Sequence, residues 1–223
     1  STGDALGDVY ITIEGFLLSG FNDRFLGSEA GDLAYGLAGN DLMDGRLGAD
    51  WLSGGGGKDS LYGGEGEDTL VGGSGNDRLD GGAGRDLVSY ADAAAGLRAD
   101  LASAKANQGE ARGDSYFGVE GLEGSAHADA LLGDNAGNLI LGLDGADSLW
   151  GRGGNDTLEG GAGDDTLLGG LGADLLIGGE GADMASYAEG KAALRLDLAN
   201  PWLNPGEAAG DLYQGIEGLI GGS

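Results

Sequence analysis

The chain contains no cysteine, so no disulfide stabilises it and no thiol can serve as nucleophile or metal ligand. It has a single histidine, His127, which together with the missing thiols removes most nucleophile–base pairs. Neither an H-E-x-x-H run nor a G-x-S-x-G elbow occurs; Ser74 has Gly72 two residues before it but Asn76 two after. The expectation is a non-catalytic chain. Basic residues are also scarce: 11 Lys+Arg stand against 38 Asp+Glu, a formal charge of −27. That balance argues against nucleic acid, whose phosphates need basic partners. No apolar run approaches the roughly 18 residues of a membrane-spanning helix, and no secretory leader is visible. With aromatics at 6%, a chain this acidic would ordinarily stay disordered.

Glycine is what the chain has in excess, 52 of 223 residues, but with two prolines and no three-residue period it is not collagen-like. The glycines follow a nine-residue period. Residues 54–89 read as four consecutive nonads G-G-x-G-x-D-x-U-x, with U a bulky apolar residue. Position six holds Asp59, Asp68, Asp77 and Asp86; position eight holds Leu61, Leu70, Leu79 and Val88. Backwards, rows start at Gly45, Gly36, Gly27 and Leu18, with Asp50, Asp41, Asp32 and Asp23 at position six. A second array starts at Gly124 and continues from Gly133, Gly142, Gly151, Gly160, Gly169 and Gly178. Its sixth positions are Asp129, Asn138, Asp147, Asp156, Asp165, Asp174 and Asp183. One apolar residue per nonad is too small a load for an isolated hairpin, but stacked rows bring these residues into one continuous core column. Glycine reaches the left-handed turns that such rows need. Glycine turns leave carbonyl oxygens uncovered, and an Asp closing each turn adds hard oxygen donors of the kind Ca²⁺ prefers.

These nonads resemble the hemolysin-type (RTX) calcium-binding repeats, whose period is a known signature of calcium-bound parallel β-solenoids. The resemblance implies an all-β fold of two tandem parallel β-rolls joined by capping linkers. It implies two nonads per turn and an ion between the loops of rows n and n+2. The expected ligands are all fifteen position-six residues named above together with glycine-turn carbonyls, those of Gly36, Gly45, Gly54, Gly63, Gly72, Gly142, Gly151, Gly160 and Gly169 among them. Eight rows then give six sites and seven rows give five, about 11 ions whose charge nearly cancels the −27. Folding and calcium binding would be one event. The family also implies export by type I secretion machinery, placing the chain outside a Gram-negative bacterium or on its surface, with the export signal expected beyond these residues.

A longer repeat overlies the nonads. Gly7–Gly15, Gly113–Gly121 and Gly210–Gly218 match one another at offsets of 106 and 97. Residues 90–123 align with 187–220 without a gap. The expected organisation is therefore the tail of a preceding unit (1–17), a first roll (18–89), a capping linker (90–123), a second roll (124–186), and a further linker opening another unit (187–223). Neighbouring units of the same chain are expected partners, as in a piece of a longer array. Alternation at Leu97–Leu101 reads as a half-buried strand, and the G-D-x-Y segment as a strand leading into the next roll. The loops 102–112 and 199–209, the latter holding Pro201 and Pro205, are expected to be exposed.

His127, at position four of a weak row, reads as a turn residue, and Asn138 as a weaker site. Asp8, Asp114, Asp211, Glu14, Glu120 and Glu217 are read first as hydrogen-bonding residues of the linkers and second as junction ligands, with Arg98 and Arg195 as ion-pair partners. Trp51, Trp150 and Trp202 form no stacking platform in the pattern. Two functions fit: a calcium-folded structural and secretion-assisting module, or an adhesin or carbohydrate-binding segment.

Overall fold

In each nonad, positions six, eight and one fall on one side of an extended chain and positions seven and nine on the other. The computed structural model describes residues 15–189, 196–198, 200 and 204–221, and within them it contains short strands and 3-10 turns but no α-helix. Among the described residues the named strands pair in parallel, with one isolated antiparallel bridge between Arg98 and Gln108; within the arrays the pairing joins residues 18 apart, such as Trp51 with Thr69 and Leu149 with Leu167. Alternate rows thus belong to the same sheet, which is two nonads per turn.

The chain divides into two compact units. In the first, one sheet holds β1 (Gly15–Leu17), β3 (Leu33–Tyr35), β5 (Trp51–Gly57), β7 (Thr69–Gly75) and β9 (Leu87–Ser89). The other holds β2 (Arg24–Leu26), β4 (Leu42–Leu47), β6 (Ser60–Glu65), β8 (Arg78–Ala83) and β11 (Ser115–Phe117). In the second unit, one sheet holds β12 (Gly121–Glu123), β14 (Leu139–Asp144), β16 (Thr157–Ala162), β18 (Leu175–Glu180) and β20 (Leu212–Gln214). Its companion holds β10 (Arg98–Asp100), β13 (Ala130–Leu132), β15 (Ser148–Gly153), β17 (Thr166–Leu171), β19 (Met184–Ser186) and β21 (Gly218–Ile220). The chain is an all-β parallel β-solenoid, the β-roll that the nonads imply.

Position eight builds the core. Ala34, Met43, Leu52, Leu61, Leu70, Leu79 and Val88 are fully buried in the first unit, as are Leu131, Ile140, Leu149, Leu158, Leu167, Leu176 and Ala185 in the second. Position-nine Tyr35 and position-seven Leu33, Leu42 and Trp51 face outwards and stay partly exposed.

The two parts of the linker serve different units. Tyr90–Arg112 belongs to the second unit, where β10 pairs with β13, whereas Gly113–Val119 returns to the first, where β11 pairs with β8. Register explains this. Asp114 and Tyr116 stand two residues apart, as positions six and eight do, and Tyr116 pairs with Leu79 of the first roll's core column. Between them, 102–112 is largely exposed and anchored by buried Asn107 and Ala111. Asp8, Glu14, Arg195, Pro201 and Trp202 lie outside the described residues.

Candidate metal centre

Position six points inward beside the aliphatic column, so the chain buries a file of carboxylates. From Asp32 to Asp86 and from Asp129 to Asp183, no position-six residue is more than 5% exposed; Asp23 alone is half-buried. One carboxylate oxygen has a repeated task. From Asp41 to Asp86 and from Asp147 to Asp183, Oδ1 accepts the backbone N–H of the position-six residue 18 residues earlier: Asp50 N–H to Asp68 at 2.9 Å, Asp59 N–H to Asp77 at 2.8 Å, Asp147 N–H to Asp165 at 2.8 Å, Asp156 N–H to Asp174 at 2.9 Å. These bonds tie row n to row n+2.

The other oxygen divides the rows into two classes. In Asp41, Asp50, Asp59, Asp68, Asp147, Asp156, Asp165, Asp174 and Asp183, Oδ2 is buried with no hydrogen-bond partner. A backbone carbonyl oxygen borders the same space in most of these rows. A Cβ added to Gly63 would lie 2.7 Å from the Gly81 carbonyl oxygen and in contact with Asp68 Oδ2. The same holds at Gly45 with Asp50 and Gly63 O, and at Gly160 with Asp165 and Gly178 O. Gly36, Gly142 and Gly151 repeat it, with Asp41 and Gly54 O, Asp147 and Gly160 O, and Asp156 and Gly169 O. Gly54, Gly72 and Gly169 leave the space that Asp59, Asp77 and Asp174 enter. Position-one glycine is therefore required by a close approach: it leaves a cradle bounded by a carboxylate of its own row and a carbonyl from two rows on.

Position two distinguishes these rows. In eleven rows it is held at positive φ, by Gly55, Gly64, Gly73, Gly82, Gly161, Gly170 and Gly179, and also by Leu37, Arg46, Leu143 and Arg152. A non-glycine residue pays about 1–2 kcal/mol to stay in that region. Four rows lack the feature. There the position-two N–H donates to the carboxylate's second oxygen: Ser19 to Asp23 at 2.8 Å, Ser28 to Asp32 at 2.7 Å, Ser125 to Asp129 at 2.5 Å. In the fourth, Asp134 N–H donates to Asn138 Oδ1 at 2.8 Å, and Asn138 Nδ2 donates to the Glu120 carbonyl. Asp23, Asp32, Asp129 and Asn138, grouped with the other ligands by sequence, are thus set apart by the structure.

Electrostatics follow burial. Desolvation first, and the neighbouring carboxylate two rows away second among the raising causes, push up the carboxyls of Asp41, Asp50, Asp59 and Asp68. Asp147 and Asp156 are pushed up to about 7. Backbone N–H donation pulls the other way and is outweighed in each of these residues. Among the described residues no three Asp, Glu, His or Cys side chains converge on one point; the further protein oxygens beside most of the position-six carboxylates are backbone carbonyls. Buried carboxylate and carbonyl oxygens facing one another are unfavourable alone and well matched to a hard, oxygen-seeking cation.

The last rows draw on the linkers. Asp77 and Asp174 N–H donate to Oδ1 of Asp114 and Asp211 at 2.9 and 3.0 Å, and Asp183 N–H donates to Glu217 Oε2 at 2.8 Å. The carbonyls of Gly118 and Gly215 complete the cradles at Gly81 and Gly178. These carbonyls escaped the sequence reading, although G-D-x-Y already carries the six–eight spacing. Tyr187 donates to Asp211 Oδ2 at 2.6 Å, and Asp211 is raised to about 6, chiefly by burial. Arg98 finds Asp100 at 3.6 Å, not a linker glutamate, and Arg152 grips the same carboxylate with two bonds of 2.8 Å. His127 is exposed in its turn.

No curated protein matches the chain. The RTX calcium-binding nonapeptide repeat does, at residues 19–52, 53–88, 123–158, 132–167 and 151–185, more than half of the sequence.

Proposed function

Since the chain belongs to the RTX calcium-binding nonapeptide repeat family, we propose that it is a calcium-folded structural module of an exported protein, assembled outside the cell. The carrying observation is the file of buried carboxylate oxygens with no donor of their own. Those oxygens belong to Asp41, Asp50, Asp59 and Asp68 in the first roll and to Asp147, Asp156, Asp165, Asp174 and Asp183 in the second; with position-one carbonyls two rows on they would hold the ions, joined by Asp77 and Asp86, whose rows share the left-handed turn at position two. Bound calcium supplies positive charge between rows n and n+2 that the protein's own N–H groups do not. The chain's residues do the rest: Oδ1 fixes row spacing, glycine leaves the space, and position two turns the peptide away from the carboxylate. At eleven rows the number equals the paired-row count from the sequence. Neutralising −27 in this way removes the self-repulsion that opposes a compact state. Export by type I machinery rests on the family alone.

Far-ultraviolet circular dichroism during a calcium titration from chelator, with magnesium as control, tests the proposal. A cooperative gain of β signal with calcium alone is expected. A chelated chain already fully β and indifferent to calcium would overturn it.

A further inference from the structure

The four rows that satisfy their own carboxylate share a second feature. Position four is Phe21, Ala30, His127 or Ala136, where every other row has glycine. The side chain at position two accepts the N–H of that residue: Ala30 to Ser28 Oγ at 3.1 Å, His127 to Ser125 Oγ at 3.2 Å, Ala136 to Asp134 Oδ1 at 2.8 Å. In the remaining rows position four is glycine, held at positive φ in Gly39, Gly48, Gly57, Gly66, Gly84, Gly145, Gly154, Gly163, Gly172 and Gly181. Two turn forms are therefore built into one nine-residue frame.

We infer that positions two and four together select, row by row, which nonads take a calcium ion. Serine or aspartate at two with a non-glycine at four closes the row, because the position-two N–H occupies the carboxylate oxygen that the ion would need. Glycine at four with a left-handed residue at two opens it. The inference rests on the calcium reading above and goes beyond it, since position six is Asp in Asp32 and Asp129 as much as in Asp68.

Three observations carry it. Buried Oδ2 atoms without a donor occur in open rows, whereas Oδ2 of Asp23, Asp32 and Asp129 and Oδ1 of Asn138 each accept the position-two N–H of their own row. Leu37, Arg46, Leu143 and Arg152 adopt the left-handed form although a side chain disfavours it, so glycine's freedom at position two is not what creates the open turn. The order also recurs: each roll starts with two closed rows, then Leu and Arg rows, then glycine rows. Row 18 is closed twice over, since Leu18 puts a side chain where position-one glycine leaves its cradle.

The test counts ions on the full chain by equilibrium dialysis and elemental analysis. One variant opens two rows, by Ser28→Gly with Ala30→Gly and Ser125→Gly with His127→Gly. A second closes two, by Leu37→Ser with Gly39→Ala and Leu143→Ser with Gly145→Ala. The opened chain should hold two more calcium ions than the parent and the closed chain two fewer, with dichroism confirming β structure in each. A parent that takes up no calcium overturns the calcium reading and the selector with it. A parent that takes up calcium while the opened variant gains none overturns the selector alone, and that comparison stands even if the closed variant fails to fold.

Discussion

The rows that begin at Gly27 and Gly63 have the same length, the same Asp at position six and the same buried apolar column at position eight, yet they treat the carboxylate oppositely. Asp32 receives an N–H from Ser28 on the oxygen that Asp68 leaves bare. Both are tied to a neighbour two rows away, Asp32 by donating its N–H to Asp50 Oδ1 and Asp68 by accepting the N–H of Asp50 on its own Oδ1. In Asp68 the two tasks fall to different oxygens, Oδ1 for stacking and Oδ2 for the proposed ion. The first needs only register; the second needs a peptide turned away at position two.

Removing calcium should separate the two kinds of row most. In chelator, the backbone amides of Asp59 and Asp147 should lose more than about a thousandfold of their hydrogen-exchange protection, the linkage of a site held far above its dissociation constant. The amides of Ser28 and Ser125, in rows that hold no ion, should start less protected and so have less to lose. Next comes a pair of truncations. Asp68→Ala removes the carboxylate shared by the sites with Asp50 and Asp86. At calcium a hundred times the dissociation constant it should cost ~5 kcal/mol of the first roll's stability, about 2.7 kcal/mol per site. Asp32→Ala should cost only about 1 kcal/mol, the worth of a lost turn bond, and leave the ion count unchanged. Calcium-loaded thermal melts compare them.

A smaller effect is expected from pH. Asp147 and Asp156 are raised from 3.8 to about 7 in the folded chain. Their contribution to the calcium-free fold is therefore present below about pH 4 and lost as pH rises through 7. In chelator, β signal should grow on acidification from pH 7 towards 5; at sub-saturating calcium, uptake should fall over the same window because protons and ion compete. Smallest of all, Leu37→Gly should stabilise the loaded roll by ~0.5–1 kcal/mol, since relief of the left-handed strain is partly offset by glycine's larger unfolded-state entropy. Calcium-loaded denaturant midpoints would register it.

Much of this was readable in the nonads. Period nine placed the column from Leu61 to Val88 inside, and period two placed Asp59 and Asp68 beside it. Position six could not tell Asp32 from Asp68, because the distinction lies in φ at Ser28 and Gly64, and Leu37 shows that the residue at position two does not announce it by itself. Nor could local alternation reveal where β11 pairs. Asp114 and Tyr116 had the right spacing for a row, but which roll they join depends on contacts far away in sequence.

That crossing in the linker limits how the protein can be divided. Residues 90–112 serve the second unit and 113–119 the first, so no single break in the chain leaves both units whole. A piece ending at Ser89 lacks its closing strand, and one starting at Gly113 carries its neighbour's closing strand while lacking its own opening one. Anyone grafting one roll into another protein must transplant two separate stretches of polypeptide, and a protease that nicks the exposed loop between them would release neither roll intact.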